Sequence, residues 1–240
     1  MQGPGGGSAG SIGRMHTALP SLLSHPLLLL LSLAALLWAL TRRPWQLLRR
    51  NALQNAWLGA MVLVALLWTL RATLVGGLVI QLLGATLMVT LFGLPLALLS
   101  LFVVDVVSLF GLEYLAGHGW AQFDWPSLWV RYVWLALLPA LISAALQAMM
   151  RRLLPRHPFV FILGHGYFTA GLAALGASAA EAGWRHLTAP GPPWSVAETL
   201  TAAVILAFGE AFLTGMLVAI FVVYRPQWVV TFRDEEYLDR

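Results

Sequence analysis

Apolar residues run through this chain in long stretches, without the two-residue alternation of a half-exposed strand and without the polar stripe of a helix on a soluble surface. The first stretch, Leu19 to Leu40, is long enough at about 1.5 Å per residue to cross a hydrocarbon core of about 30 Å. Further apolar runs at about Ala56–Leu70, Leu74–Phe92, Pro95–Leu112, Leu128–Met149, Phe159–Ala180 and Val196–Tyr224 bring the expected number of membrane helices to about seven. Gly76-Gly77 and the turn Phe92-Gly93-Leu94-Pro95 make the second to fourth spans the least regular part, where a re-entrant or broken helix is an alternative to a plain crossing.

The polar gaps between these runs carry the orientation signal. Arg42, Arg43, Arg49 and Arg50, then Arg151, Arg152 and Arg156, then Arg225, Arg233 and Arg240 fall in alternate gaps, which the positive-inside rule assigns to the cytoplasm. The N-terminus is then outside and the C-terminus inside. Trp45, Trp57, Trp120, Trp125, Trp129, Trp184, Trp194 and Trp228 lie near span ends, where an indole is favoured at headgroup level. The first run ends in Thr41-Arg42-Arg43 with no small-residue cleavage site, so it is expected to stay attached rather than be removed as a signal peptide.

The expected organisation is an all-α, polytopic membrane bundle over residues 15–225. A Gly- and Ser-rich disordered tail precedes it at 1–14, with Met15 as an alternative start, and a cytoplasmic tail follows at 226–240. Composition agrees: 60% of the 240 residues are hydrophobic, 10% are charged, and mean hydropathy is +0.80. So few charges cannot coat a water-soluble fold of this size. All 14 basic residues are Arg, and their grouping in short gaps fits membrane topology rather than nucleic-acid binding. With no cysteine, disulfides, thiolate metal ligands and cysteine nucleophiles are excluded.

Several ionisable residues fall inside the expected spans. Asp105 lies mid-span among Phe102, Val103, Val104, Val106 and Val107, at a cost of about 2.5–3.5 kcal/mol that the surrounding apolar residues outweigh. It must face the bundle interior and find a donor, either as an interhelical hydrogen bond or on a substrate path. His165 and Glu210 pose the same choice between packing or capping and ligand or gating roles; the neighbours Gly164, Gly166, Gly209 and Gly215 permit close helix approach. Gln81 can hydrogen-bond across helices or offer an amide oxygen to a cation. Glu113, Asp124, Glu181, Glu198, His118 and His186 form an outer rim, either simply solvated or concentrating cations.

Catalytic readings find little. Gly176-Ala177-Ser178-Ala179 resembles the serine turn of rhomboid proteases, but the second glycine is missing and the seventh span has no His to act as base. No HExxH, P-loop or nucleotide-binding glycine motif occurs, so the chain is not expected to be an enzyme.

The segments Leu82-Leu83-Gly84-Ala85-Thr86-Leu87-Met88-Val89-Thr90-Leu91-Phe92-Gly93-Leu94-Pro95, Gly209-Glu210-Ala211-Phe212-Leu213-Thr214-Gly215-Met216 and Tyr224-Arg225-Pro226-Gln227-Trp228 carry a resemblance. Over roughly residues 15–238 the chain resembles energy-coupling-factor transporter permeases of the CbiM/NikM kind, in their proteobacterial branch. The resemblance implies a subunit of a bacterial inner membrane that captures cobalt or nickel, with a transmembrane coupling protein and cytoplasmic ATPase subunits as partners. No cofactor beyond the transported ion is implied. In that family a mature N-terminal Met-His chelates the metal and a further His enters before the Phe-Gly turn. Met15-His16 matches the first part if the chain starts at Met15, and Gln81 stands where the second His is expected. An amide oxygen is a poorer ligand than imidazole for these ions. The alternative expectation is a non-transporting scaffold or assembly protein with a decayed metal site.

Overall fold

The computed structural model describes residues 12–49, 51–70, 72–73, 79–117, 124–155, 157–188 and 196–232. Helix α1 spans Ile12–Thr41, with side chains described from Pro26 onward. Its first three residues fall in the stretch expected to be a disordered tail; the rest of that stretch, 1–11, lies outside the described residues. So do Arg50, Gly76, Gly77, His118, Trp120, Arg156, Trp194, Arg233 and Arg240. After α1, Arg43 takes a left-handed φ of 47° and Pro44 opens a 3₁₀ turn, Pro44–Arg49. Helix α2, Asn51–Thr69, follows.

The third expected span is corrected. The chain forms a two-residue antiparallel pair, β1 (Ala72–Thr73) with β2 (Val79–Ile80), and runs non-helically through 81–84. Only then does it coil into α3, Ala85–Phe92. Eight residues rise about 12 Å, under half of a hydrocarbon core. Seven uninterrupted crossings are therefore not found among the described residues. The break has a local cause: Gly84, with φ 63°, takes a left-handed conformation open to glycine but costly for other residues, so the right-handed helix starts only after it. A second glycine, Gly93 at φ 77°, ends α3 and lets the chain turn at once into α4, Leu94–Leu115, which has Pro95 in its first turn.

Two of the remaining runs contain wide π turns. Helix α5 (Trp125–Arg131) passes through a π segment, Tyr132–Leu137, into α6 (Leu138–Leu153). Helix α7 (Pro158–Phe161) passes through a second, Ile162–Phe168, into α8 (Thr169–Thr188). Helix α9, Val196–Tyr224, completes the bundle, and a 3₁₀ turn, Pro226–Trp228, leads into the tail.

Among the described residues, five helical runs are long and apolar enough to cross a membrane: Asn51–Thr69, Leu94–Leu115, Trp125–Leu153, Pro158–Thr188 and Ala197–Tyr224. The outward faces of α1, α2, α8 and α9 expose large apolar residues such as Leu30, Leu37, Val62, Leu172, Phe208 and Phe212, as lipid-facing surfaces do. The chain is a multi-pass helical membrane protein. At its centre is α3, every residue of which is buried.

The junctions fix which loops share an end of the bundle. The turn Pro44–Arg49 packs on α2 and α4, and Pro226–Trp228 packs on α2. Val230 N–H donates to Leu91 O at 2.8 Å, and the Phe232 ring meets Phe161 edge-on, 5.0 Å between centroids. The loop after α1, the α3–α4 turn, the start of α7 and the chain after α9 thus lie together, and α2 and α4 run in the same direction because α3 returns the chain between them.

Candidate functional site at a discontinuous membrane element

Backbone outside a helix cannot be left unpaired in a hydrocarbon environment, so the run before α3 must find partners inside the protein. It does so on two sides. The Glu210 carboxylate, at the midpoint of α9, accepts the N–H of Leu83 and of Gly84, the latter at 3.1 and 3.2 Å to its two oxygens. From α2, Trp68 Nε1 donates to Leu83 O at 2.8 Å. Successive N–H groups at a helix start, with the positive end of the helix dipole behind them, form a natural seat for an anion. Here that anion is a side chain of the protein itself. Gly209 lets the chain approach: a Cβ there would meet Leu82 Cδ2 at 3.2 Å. Glu210 therefore acts as a cap, one of the two roles open to it from sequence.

The seam continues down α3 through hydroxyls and an amide. Thr86 Oγ1 and Ser143 Oγ lie 2.6 Å apart, Gln147 Nε2 donates to Thr90 Oγ1 at 2.7 Å, and Thr90 Oγ1 donates to Thr86 O. Thr231 Oγ1 from the tail reaches Thr90 O. Next to this seam stands His165, inside the second π turn, its ring stacked on Phe161 at 4.6 Å. Single π turns recur at functional sites.

Five buried side-chain atoms have no hydrogen-bond partner among the described residues: Gln81 Nε2, Asp105 Oδ2, His165 Nδ1, His165 Nε2 and Thr214 Oγ1. Gln81 belongs to the run before α3, Thr214 lies one helical turn beyond Glu210, and the carbonyl of His165 faces Thr90 and Gln147 at 3.4 Å each. Four of the five atoms thus belong to residues on or beside the α3 seam.

Asp105 belongs elsewhere. It is fully buried and accepts from Arg131 Nε of α5 at 3.0 Å, while Arg131 Nη2 donates to Ser108 Oγ at 3.1 Å. The donor that its position demanded is an arginine 26 residues on. Nearby, Tyr132 donates to Leu98 O at 3.1 Å and ties the first π turn to α4. Asp105 is therefore placed with Arg131, apart from the partners found for Glu210 and His165.

The side chains of Met15 and His16 fall outside the described residues, though their backbone lies in α1. No group of three or more His, Asp or Glu able to hold a metal occurs among the described residues. Gln81 is buried in the non-helical run before α3. At the rim, Asp124 caps α5 by accepting from Ser127 N–H at 3.3 Å, and Glu181 pairs with Arg185 one turn on.

Sequence reasoning did not find Arg131, Trp68 or Gln147. A lone cation and a lone carboxylate inside two separate apolar runs are each too costly to stay unpaired, and that signal alone could have joined Arg131 to Asp105. No family model, no curated protein and no solved structure matches the chain. The class that the architecture defines is a multi-pass helical membrane protein built around one discontinuous membrane element.

Proposed function

We propose that this chain is the substrate-capturing subunit of an energy-coupling-factor-type transporter for uptake of divalent transition-metal ions, cobalt or nickel, in a bacterial inner membrane. Its N-terminus is outside and its C-terminus inside. The observation that carries the reading is the half-helix α3, which begins within the bundle beside the midpoint of α9 and is preceded by non-helical backbone. Broken helices that begin near mid-membrane are where transporters build substrate sites. The resemblance of the segments around α3, Glu210 and Tyr224–Trp228 supports the same reading. Met15, His16 and Gln81 are the proposed capturing residues; coupling protein and ATPases are the proposed partners.

A second reading is a non-transporting scaffold of the same descent. It is favoured by the Glu210 cap, which already fills the helix start, and by the hydrogen bonds that lock α3 to α6, α9 and the tail. Thermal unfolding of protein beginning at Met15, with and without nickel or cobalt, separates the two. Stabilisation that His16→Ala abolishes is the expected result. No stabilisation, with Gln81→His restoring it, favours the scaffold.

A further inference from the structure

Six arginines of this protein share one end of the bundle. Among the described residues, Arg42 and Arg43 after α1, Arg49, Arg151 and Arg152 at the end of α6, and Arg225 after α9 all lie at the bundle end where the tail meets α3 and α7; all six are exposed. The described acids are absent from that end; Asp234, Glu235, Glu236 and Asp239, which follow Phe232 in the sequence, lie outside the described residues. Asp105 and Glu210 sit mid-bundle, and Glu113, Asp124, Glu181 and Glu198 belong to the opposite ends of their helices.

Depth identifies the anion within reach. Three of the arginines stand within two residues of an exposed apolar side chain: Leu40 beside Arg42, Leu153 beside Arg152, and Val223 and Tyr224 beside Arg225. Two guanidinium groups lie over indole rings, Arg42 over Trp38 at 5.2 Å and Arg225 over Trp228 at 5.8 Å. Indoles favour headgroup level, and a guanidinium fork matches a phosphate.

Arg43 adds an independent observation. Its φ of 47° is the left-handed conformation that usually follows a helix as glycine or asparagine. An arginine is held there against the local backbone preference.

We propose that this end of the bundle binds anionic phospholipid headgroups, with Arg42, Arg43 and Arg225 as the principal phosphate contacts. This goes beyond the transport reading and does not depend on it. The test is native mass spectrometry of the full chain released from bilayers of phosphatidylcholine and phosphatidylglycerol, with affinities from lipid titration. Retained phosphatidylglycerol is expected, with about a fivefold affinity loss for each of Arg42→Gln, Arg43→Gly and Arg225→Gln. Arg185→Gln, at the other end, is expected to change nothing. Arg43→Gly relieves its backbone, so a loss there cannot be put down to unfolding. Equal retention of both lipids, an undiminished preference in the three variants, or displacement of the lipid by poly-glutamate at low concentration would overturn the proposal.

Discussion

Glu210, at the midpoint of α9, holds the N–H of Gly84 with both carboxylate oxygens, 126 residues away in sequence. The contact converts an exposed helix start, which bare lipid would penalise, into a capped one. Glu210→Ala leaves the amides of Leu83 and Gly84 unpaired and is expected to cost about 1–3 kcal/mol, read as a lower unfolding temperature in detergent. Glu210→Gln keeps an acceptor oxygen and should lose less. Equal losses in the two variants would show that charge, not hydrogen bonding, sets the cap.

Gly84 itself permits a sharper experiment. A Cβ there would sit 3.0 Å from Val64 Cγ2 on a backbone with positive φ. Gly84→Ala is expected to destabilise by about 1–3 kcal/mol through strain and contact together. Adding Val64→Ala opens the space but leaves φ unchanged, so the pair should recover only part of the loss. Full recovery would mean that the backbone is unstrained.

Asp105 and Arg131 are expected to behave as a coupled pair. Removing Arg131 alone strands a buried carboxylate, at a cost of about 3–5 kcal/mol. The double replacement Asp105→Leu with Arg131→Leu should cost much less than the sum of the singles. Additive losses in a double-mutant cycle would refute the coupling.

His165 can be assigned by shape. Phenylalanine preserves the stack on Phe161 and removes the two unpartnered ring nitrogens. His165→Phe is expected to hold or raise the unfolding temperature and, under the proposed transport reading, to reduce metal uptake in cells. Unchanged uptake would reduce His165 to packing.

The long membrane runs were legible because their signal is local and summed over about twenty residues. The α3 break was legible only in outline. Gly84, Gly93 and Pro95 mark irregularity, yet the partners that make it tolerable, Trp68 and Glu210, are remote in sequence. The site was legible as a set of costly residues rather than as an arrangement. Burial cost says that Asp105 needs a donor; it does not say that Arg131 is the donor. The glycines did carry their expected meaning, for a Cβ on Gly166 would meet Gly215 Cα at 3.3 Å, which is how the second π turn and α9 come close. The π turns left no trace, since one wide turn shifts the helical phase without changing composition.

One continuous stretch, from Glu210 to Thr231, grips both tips of a buried eight-residue rod. It works as a calliper whose handle emerges at the surface just past Tyr224. A force applied to that handle reaches α3 through this grip as well as α2 through the Pro226–Trp228 turn, so an antibody fragment or fusion tag fixed near Trp228 would pull on the buried rod.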